Sequence, residues 1–257
     1  MCFDEEARPP IAPIRGGAID SGPITLSADD GNLFRAFAAR AGRSSRVGMI
    51  VLPDVRGLHA YYEELALRFA ERGIDTVAID YFGRTAGADE RDPGFDFMAH
   101  IARTTFAGLA ADVSAATDLL RSTKGGDVRS IFTVGFCFGG RLAFLTATLG
   151  LELAGVIGFY GPPVGPARND MPAPADVAGR MRSPVLGIFG GADEGITADS
   201  VAAFGRALDK AGVDNRLVSY AGAPHSFFDR RATDFAEASG AAWEEVQSFI
   251  ATHTARP

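Results

Sequence analysis

The chain has 257 residues, 47% of them hydrophobic, with 25 Lys and Arg against 32 Asp and Glu and a formal net charge of −7. That acidity, without a Lys/Arg run longer than two, argues against a nucleic-acid partner or an anionic membrane surface and leaves small molecules as the expected partners. No apolar stretch reaches the roughly 18–20 residues that span a bilayer, and the start Met1-Cys2-Phe3-Asp4-Glu5-Glu6 lacks the basic and apolar segments of a signal peptide, so a cytoplasmic protein is expected.

Taken in chain order, residues 1–20 are rich in Pro and Gly (Pro9, Pro10, Pro13, Gly16, Gly17) and read as an irregular surface arm; residues 21–257 read as a single domain. The runs 24–27 and 34–38 flank Asp29-Asp30-Gly31-Asn32, turn chemistry that predicts an N-terminal β-hairpin. Apolar runs of strand length then alternate with helical spacing. Strands are predicted at 47–52, 76–79, 130–136, 156–160, 185–189 and 216–220, and helices at 61–72, 99–120, 139–149, 198–211 and 235–252. Strands that are apolar on both faces and separated by helices imply an α/β fold: a mostly parallel central sheet of about eight strands, with helices on both faces.

The densest signal is Gly135-Phe136-Cys137-Phe138-Gly139-Gly140, between a predicted strand and a predicted helix. It is the G-x-S-x-G nucleophile elbow with cysteine in place of serine. A Cβ two positions from the nucleophile would collide with the neighbouring strand or helix, which is why glycines flank it. The turn also leaves the Phe138 N–H at a helix N-terminus, where it can stabilise an oxyanion and favour a thiolate.

Partners for such a nucleophile should follow in the order acid, then histidine. Asp193, in Gly190-Gly191-Ala192-Asp193, lies just past the predicted strand 185–189, and His225, in Ala223-Pro224-His225-Ser226-Phe227, just past 216–220. Both fall at the carboxyl ends of strands, where open α/β sheets build their sites. His59, His100 and His253 are less well placed. The expected triad is Cys137 as nucleophile, His225 as general base and then acid, and Asp193 as the orienting carboxylate. In a reducing compartment Cys2 and Cys137 are not expected to pair, so Cys137 is expected to be a free thiol.

On these three motifs the run from about residue 24 to 252 resembles the dienelactone hydrolase family of the α/β-hydrolase superfamily. The resemblance implies the α/β-hydrolase fold, hydrolysis of a small activated ester or lactone such as an enol lactone through an acyl-enzyme, and no cofactor or metal. It also implies that Asp54, in Leu52-Pro53-Asp54-Val55-Arg56-Gly57, stands where the family carries a Glu that helps activate the thiol, with the Val55 N–H as second oxyanion donor. Asp is one methylene shorter than Glu, and the alternative is a turn residue paired with Arg56. A carboxylate-bearing substrate calls for arginine; the candidates are Arg84, Arg91 and Arg230, with Tyr160 and Phe227 expected to line an aromatic pocket. Alternatives are a general aryl esterase or thioesterase, or a binding protein on the same fold. A monomer or small homo-oligomer is expected.

Overall fold

The computed structural model describes residues 7–92 and 94–255; Cys2 lies outside them. Eight strands, β1 (Ala18–Ser27), β2 (Leu33–Ala41), β3 (Val47–Leu52), β4 (Ile74–Ile79), β5 (Ser130–Phe136), β6 (Gly155–Phe159), β7 (Val185–Gly190) and β8 (Asn215–Tyr220), form one sheet in the order β1-β2-β4-β3-β5-β6-β7-β8. The hairpin β1–β2 is antiparallel and joins β4 antiparallel; every other pairing is parallel. Each residue of β3 to β7 is buried, as expected of strands covered on both faces, whereas the edge strand β8 is half-exposed.

Seven α-helices accompany the sheet among the described residues: α1 (Ala60–Ala70), α2 (Gly83–Ala86), α3 (Phe97–Ile101), α4 (Phe106–Arg121), α5 (Phe138–Thr146), α6 (Ala198–Ala211) and α7 (Ala236–His253). Adjacent residues of β5 show that they cover both faces. Phe132 packs on Phe249 of α7, while Thr133 hydrogen-bonds Thr146 of α5 at 3.0 Å, and neighbouring side chains on a strand point to opposite sides. α7 meets α1 through Trp243 and Phe69, and α5 meets α6 through Phe144 and Phe204.

Among the differences from the predicted boundaries, two involve contacts with remote segments. Strand β1 begins at Ala18, inside the segment read as arm, because Ala18 pairs with Ala41 across the hairpin. The arm before it is tied to the end of α1, where Ile14 N–H donates to Glu71 at 2.8 Å and Arg72 donates to the Ala12 carbonyl at 3.0 Å. The single helix expected over 99–120 is divided into α3 and α4. Thr105 caps α4 by accepting from Gly108 N–H, and Asn169 from a distant loop accepts from Phe106 N–H and donates to Thr104. Periodicity alone carries no sign of that tertiary contact.

The chain crosses from β4 to β5 over β3, so the strand order reverses at β3 and a crevice opens at its carboxyl end. The loop leaving β3 is held there by Asp80, just past β4. This buried carboxylate accepts from Leu58 N–H at 3.0 Å, Phe82 N–H at 3.3 Å and Arg91 at 2.7 Å. Arg91→Met should therefore leave a buried charge without its cation and cost about 3–5 kcal/mol in urea unfolding, most of it recovered when Asp80→Asn is added. A loss below about 1 kcal/mol would place the pair with ordinary surface ion pairs instead.

Candidate active site

The turn after β5 is sharp because of where its residues must go. Cys137 has φ 55° and ψ −113°, a conformation that costs a non-glycine residue of order 1–3 kcal/mol. The surroundings hold it there: Cys137 N–H donates to the Phe159 carbonyl at 3.0 Å, and its own carbonyl accepts from Arg141 N–H in the first turn of α5 at 3.1 Å. The turn closes only on glycines. A Cβ at Gly135 would stand 1.9 Å from the Gly139 carbonyl oxygen, and one at Gly139 would stand 2.1 Å from that of Leu52 and 2.2 Å from that of Pro53. Bare Cα atoms thus let the start of α5 press against the end of β3. That contact brings the Phe138 N–H and the Val55 N–H, predicted as oxyanion donors, to the same end of the sheet; neither has a protein acceptor among the described residues.

His225 and Asp193 come from neighbouring strand ends. Gly190, the last residue of β7, permits the approach, since a Cβ there would lie 2.4 Å from the Ala223 carbonyl oxygen and 2.6 Å from that of Pro224. Ala192 N–H donates to the same Ala223 carbonyl at 2.9 Å, so the two loops run side by side. Asp193 Oδ2 lies 2.6 Å from His225 Nδ1, while its Oδ1 accepts from Gly195 N–H at 2.9 Å. The carboxylate is buried and the imidazole partly open to solvent. On the pKa of His225, burial alone acts downward. It is outweighed by hydrogen bonds to Asp193 and to Cys137 and by their charges, which together raise His225 from 6.5 to about 10. Cys137 is a free thiol. A thiol, an imidazole interacting with it and a carboxylate on the far ring nitrogen are what proton transfer from a nucleophile requires.

The Asp54 carboxylate is engaged by neighbouring basic side chains. It is taken by the Arg56 fork, with contacts of 2.7–3.1 Å, and His59 stands 3.9 Å away. Burial alone would raise Asp54, but the hydrogen bonds and charges of His59 and Arg56 hold it well below the usual carboxylate range. The pairing with Arg56 that the sequence suggests is present. The buried Tyr62 hydroxyl adds a contact that periodicity does not reveal, accepting from Asp54 N–H at 3.0 Å.

The substrate-binding candidates divide. Arg84 is held by Asp30, by Asp112 at 2.9 Å and by the Gly108 carbonyl at 3.1 Å, and Arg91 by the buried Asp80. Both guanidinium groups are drawn to the protein's own carboxylates. Tyr160 and Phe227 are fully buried, so they support the site from within instead of lining its surface. Arg230 lies at the cleft beside the imidazole. With Arg231 and His225 it lines an open cleft of about 570 Å³ floored by residues 192–195 and Pro224.

An eight-stranded sheet reversing at β3, covered by helices on both faces and turned sharply after β5, defines the α/β-hydrolase fold. The sequence profile of the dienelactone hydrolase family matches residues 34–254. A carboxymethylenebutenolidase-type protein of Salmonella typhimurium is 31% identical over 263 residues, covering 96% of this chain and 94% of its own, and one of Methylorubrum extorquens is 27% identical over 249 residues, covering 95% and 84%. Among solved structures, a dienelactone hydrolase-type protein of Klebsiella pneumoniae superimposes with a TM-score of 0.77 at 24% identity, over 91% of this chain and 99% of that one. A dienelactone hydrolase-like promiscuous phosphotriesterase from metagenomic libraries gives 0.72 at 22% identity, over 90% and 98%. At such identities the structural likeness shows the fold alone. The chain belongs to the dienelactone hydrolase family and is a carboxylic ester hydrolase. No helix among the described residues is long and apolar enough to cross a membrane.

The raised His225 pKa has a measurable consequence. Its folded value lies above its unfolded one, so the stabilisation is complete below pH 6.5 and is lost as pH rises through about 10. Wild type should exceed His225→Gln in stability by ~2–4 kcal/mol at the acidic end of that window, with the gap closing toward the alkaline end. A gap that stays constant across the window would contradict the assigned interactions.

Proposed function

We propose that the protein is a cysteine-dependent hydrolase of a small activated carboxylic ester or lactone, working through a Cys137 acyl-enzyme. The observation that carries this reading is the convergence of Cys137 with the hydrogen-bonded pair His225 and Asp193 at one end of the sheet. His225, whose raised pKa lets it hold the proton given up by Cys137, stays beside the sulfur as Cys137 Sγ attacks the carbonyl carbon. The Phe138 and Val55 N–H groups receive the developing oxyanion, and Asp193 steadies the imidazolium. Collapse of the tetrahedral intermediate breaks the bond to the leaving oxygen, which His225 protonates. Water, deprotonated by His225, then attacks the thioester, releasing the carboxylic acid and restoring the thiol. Thiolates are poor nucleophiles toward unactivated esters and amides, so enol lactones, aryl esters and thioesters are favoured over peptides. Residues 21–257 would carry this chemistry as a single domain, without a cofactor.

Cys137→Ala should lower turnover of p-nitrophenyl acetate by about 10³–10⁶-fold, leaving only binding and the oxyanion donors. Activity within tenfold of wild type would remove the cysteine from the mechanism. For a carboxylate-bearing lactone, Arg230 is the proposed anchor, because it lines the cleft beside His225. Arg230→Met should raise KM for the anionic lactone by ~10–100-fold, the equivalent of ~1.5–3 kcal/mol for a charge-assisted hydrogen bond, and leave neutral aryl esters nearly unchanged. Equal effects on both substrates would point to a neutral ester as the natural one.

A further inference from the structure

His225 is hydrogen-bonded to Asp193 through one ring nitrogen and to Cys137, contacts at the ring edge that leave the tilt of its plane to be set by what packs against its face. Another contact lies against the ring itself. Tyr160, the residue after β6, places its ring centroid 4.9 Å from that of His225, tilted by 53°. Tyr160 is fully buried, has φ 38°, and donates its N–H to the Ile188 carbonyl at 2.7 Å. A non-glycine residue adopts such a backbone only where its surroundings over-determine it. Its hydroxyl donates to Asp229 Oδ2 at 2.8 Å, and Asp229 sits four residues beyond His225 in the histidine's own loop.

That loop is a tight turn. Ser226 has φ 61°, its carbonyl accepts from both Asp229 N–H and Arg231 N–H at 3.3 Å, and the Asp229 carbonyl accepts from Ala232 N–H at 3.0 Å. Tyr61 donates to the Phe228 carbonyl at 2.9 Å and Ser239 to that of Phe227 at 3.0 Å. The buried Asp229 carboxyl accepts from the Tyr160 hydroxyl and from Arg230 N–H. Burial pushes its pKa up, and the neighbouring Asp54 adds to that, against the hydrogen bonds and the charge of Arg230. Keeping an acid in such a place is costly. The proposed reaction gives it no chemical part, because Asp193 already serves the imidazole.

We propose that Tyr160 and Asp229 are a positioning pair that fixes the plane of the His225 imidazole relative to Cys137, Tyr160 bracing the ring and Asp229 locking Tyr160 to the histidine loop. The pair closes a circuit from His225 along its loop to Asp229, across to Tyr160 and back to the ring. It touches no reacting atom and acts only through the histidine. The inference rests on His225 being the general base.

The test compares Tyr160→Phe, Asp229→Asn and Asp229→Leu with wild type, with Cys137→Ala and His225→Gln as controls. Tyr160→Phe keeps the ring but loses the lock. It should retain a KM for p-nitrophenyl acetate close to wild type while kcat falls by about 10- to 100-fold, as for a small misplacement of a catalytic group. It should also shift the pH midpoint of Cys137 alkylation by iodoacetamide by about half a unit or more, because the histidine interaction felt by the thiol changes. Asp229→Leu should behave the same way. In Asp229→Asn the hydroxyl can turn to accept from the amide nitrogen while the amide oxygen keeps Arg230 N–H, so most of the activity should return. Wild-type kcat and an unchanged alkylation profile in Tyr160→Phe would overturn the proposal. So would a kcat loss that merely tracks a smaller folded fraction. Should Asp229→Leu fail to fold, Tyr160→Phe against Asp229→Asn decides alone. If instead the His225→Gln control stays active, it is the assignment of the base that falls.

Discussion

The approach of the first turn of α5 to the end of β3 is the contact on which the site depends. Two backbone segments meet where Gly139 has no room for a side chain against the carbonyls of Leu52 and Pro53. That approach adds to the hydrogen bonds that support the positive φ of Cys137 and places the Val55 loop at the same end of the sheet as the helix start. The helix N-terminus supplies oriented N–H groups without spending any side chain on capping: Cys137 occupies the N-cap position and makes no cap hydrogen bond, which leaves its sulfur for chemistry.

Around this contact the loops at the carboxyl ends of the strands are clamped by buried carboxylates. Asp80 holds the loop after β3 and takes Arg91, and Asp112 takes Arg84 together with Asn32 of the hairpin turn. Asp54 takes Arg56, and Asp229 takes Tyr160. Internal acids therefore absorb most of the cations that a sequence reading would offer to a substrate. A carboxylate removed from water needs a partner, and a nearby arginine satisfies that need at less cost than a buried unpaired charge. Arg230 and Arg231 line the cleft at His225, Arg231 while paired with Asp234, and that side of the site is where substrate recognition is to be sought.

Membership of the dienelactone hydrolase family makes the chain a carboxylic ester hydrolase, and the acyl transfer proposed at Cys137, His225 and Asp193 belongs to that reaction class. The same fold occurs in a protein described as a dienelactone hydrolase-like promiscuous phosphotriesterase, so fold alone does not fix the substrate.

Local patterns were enough to write the alternation of strands and helices, the hairpin turn, the elbow and the order of acid and histidine. Each of these is encoded by residues close together in the chain: apolar runs of strand length, the glycines flanking Cys137, and polar residues just past strand ends. The division of the helix at Thr105, the strand pairing of Ala18, the capture of Arg84 and Arg91, and the burial of Tyr160 and Phe227 were decided only by tertiary structure. The reason is physical. An arginine near a strand end reads the same whether it meets substrate or an internal carboxylate. Its partner is chosen by distance, and distance between Arg84 and Asp112 or between His225 and Tyr160 exists only once the sheet has brought remote segments together.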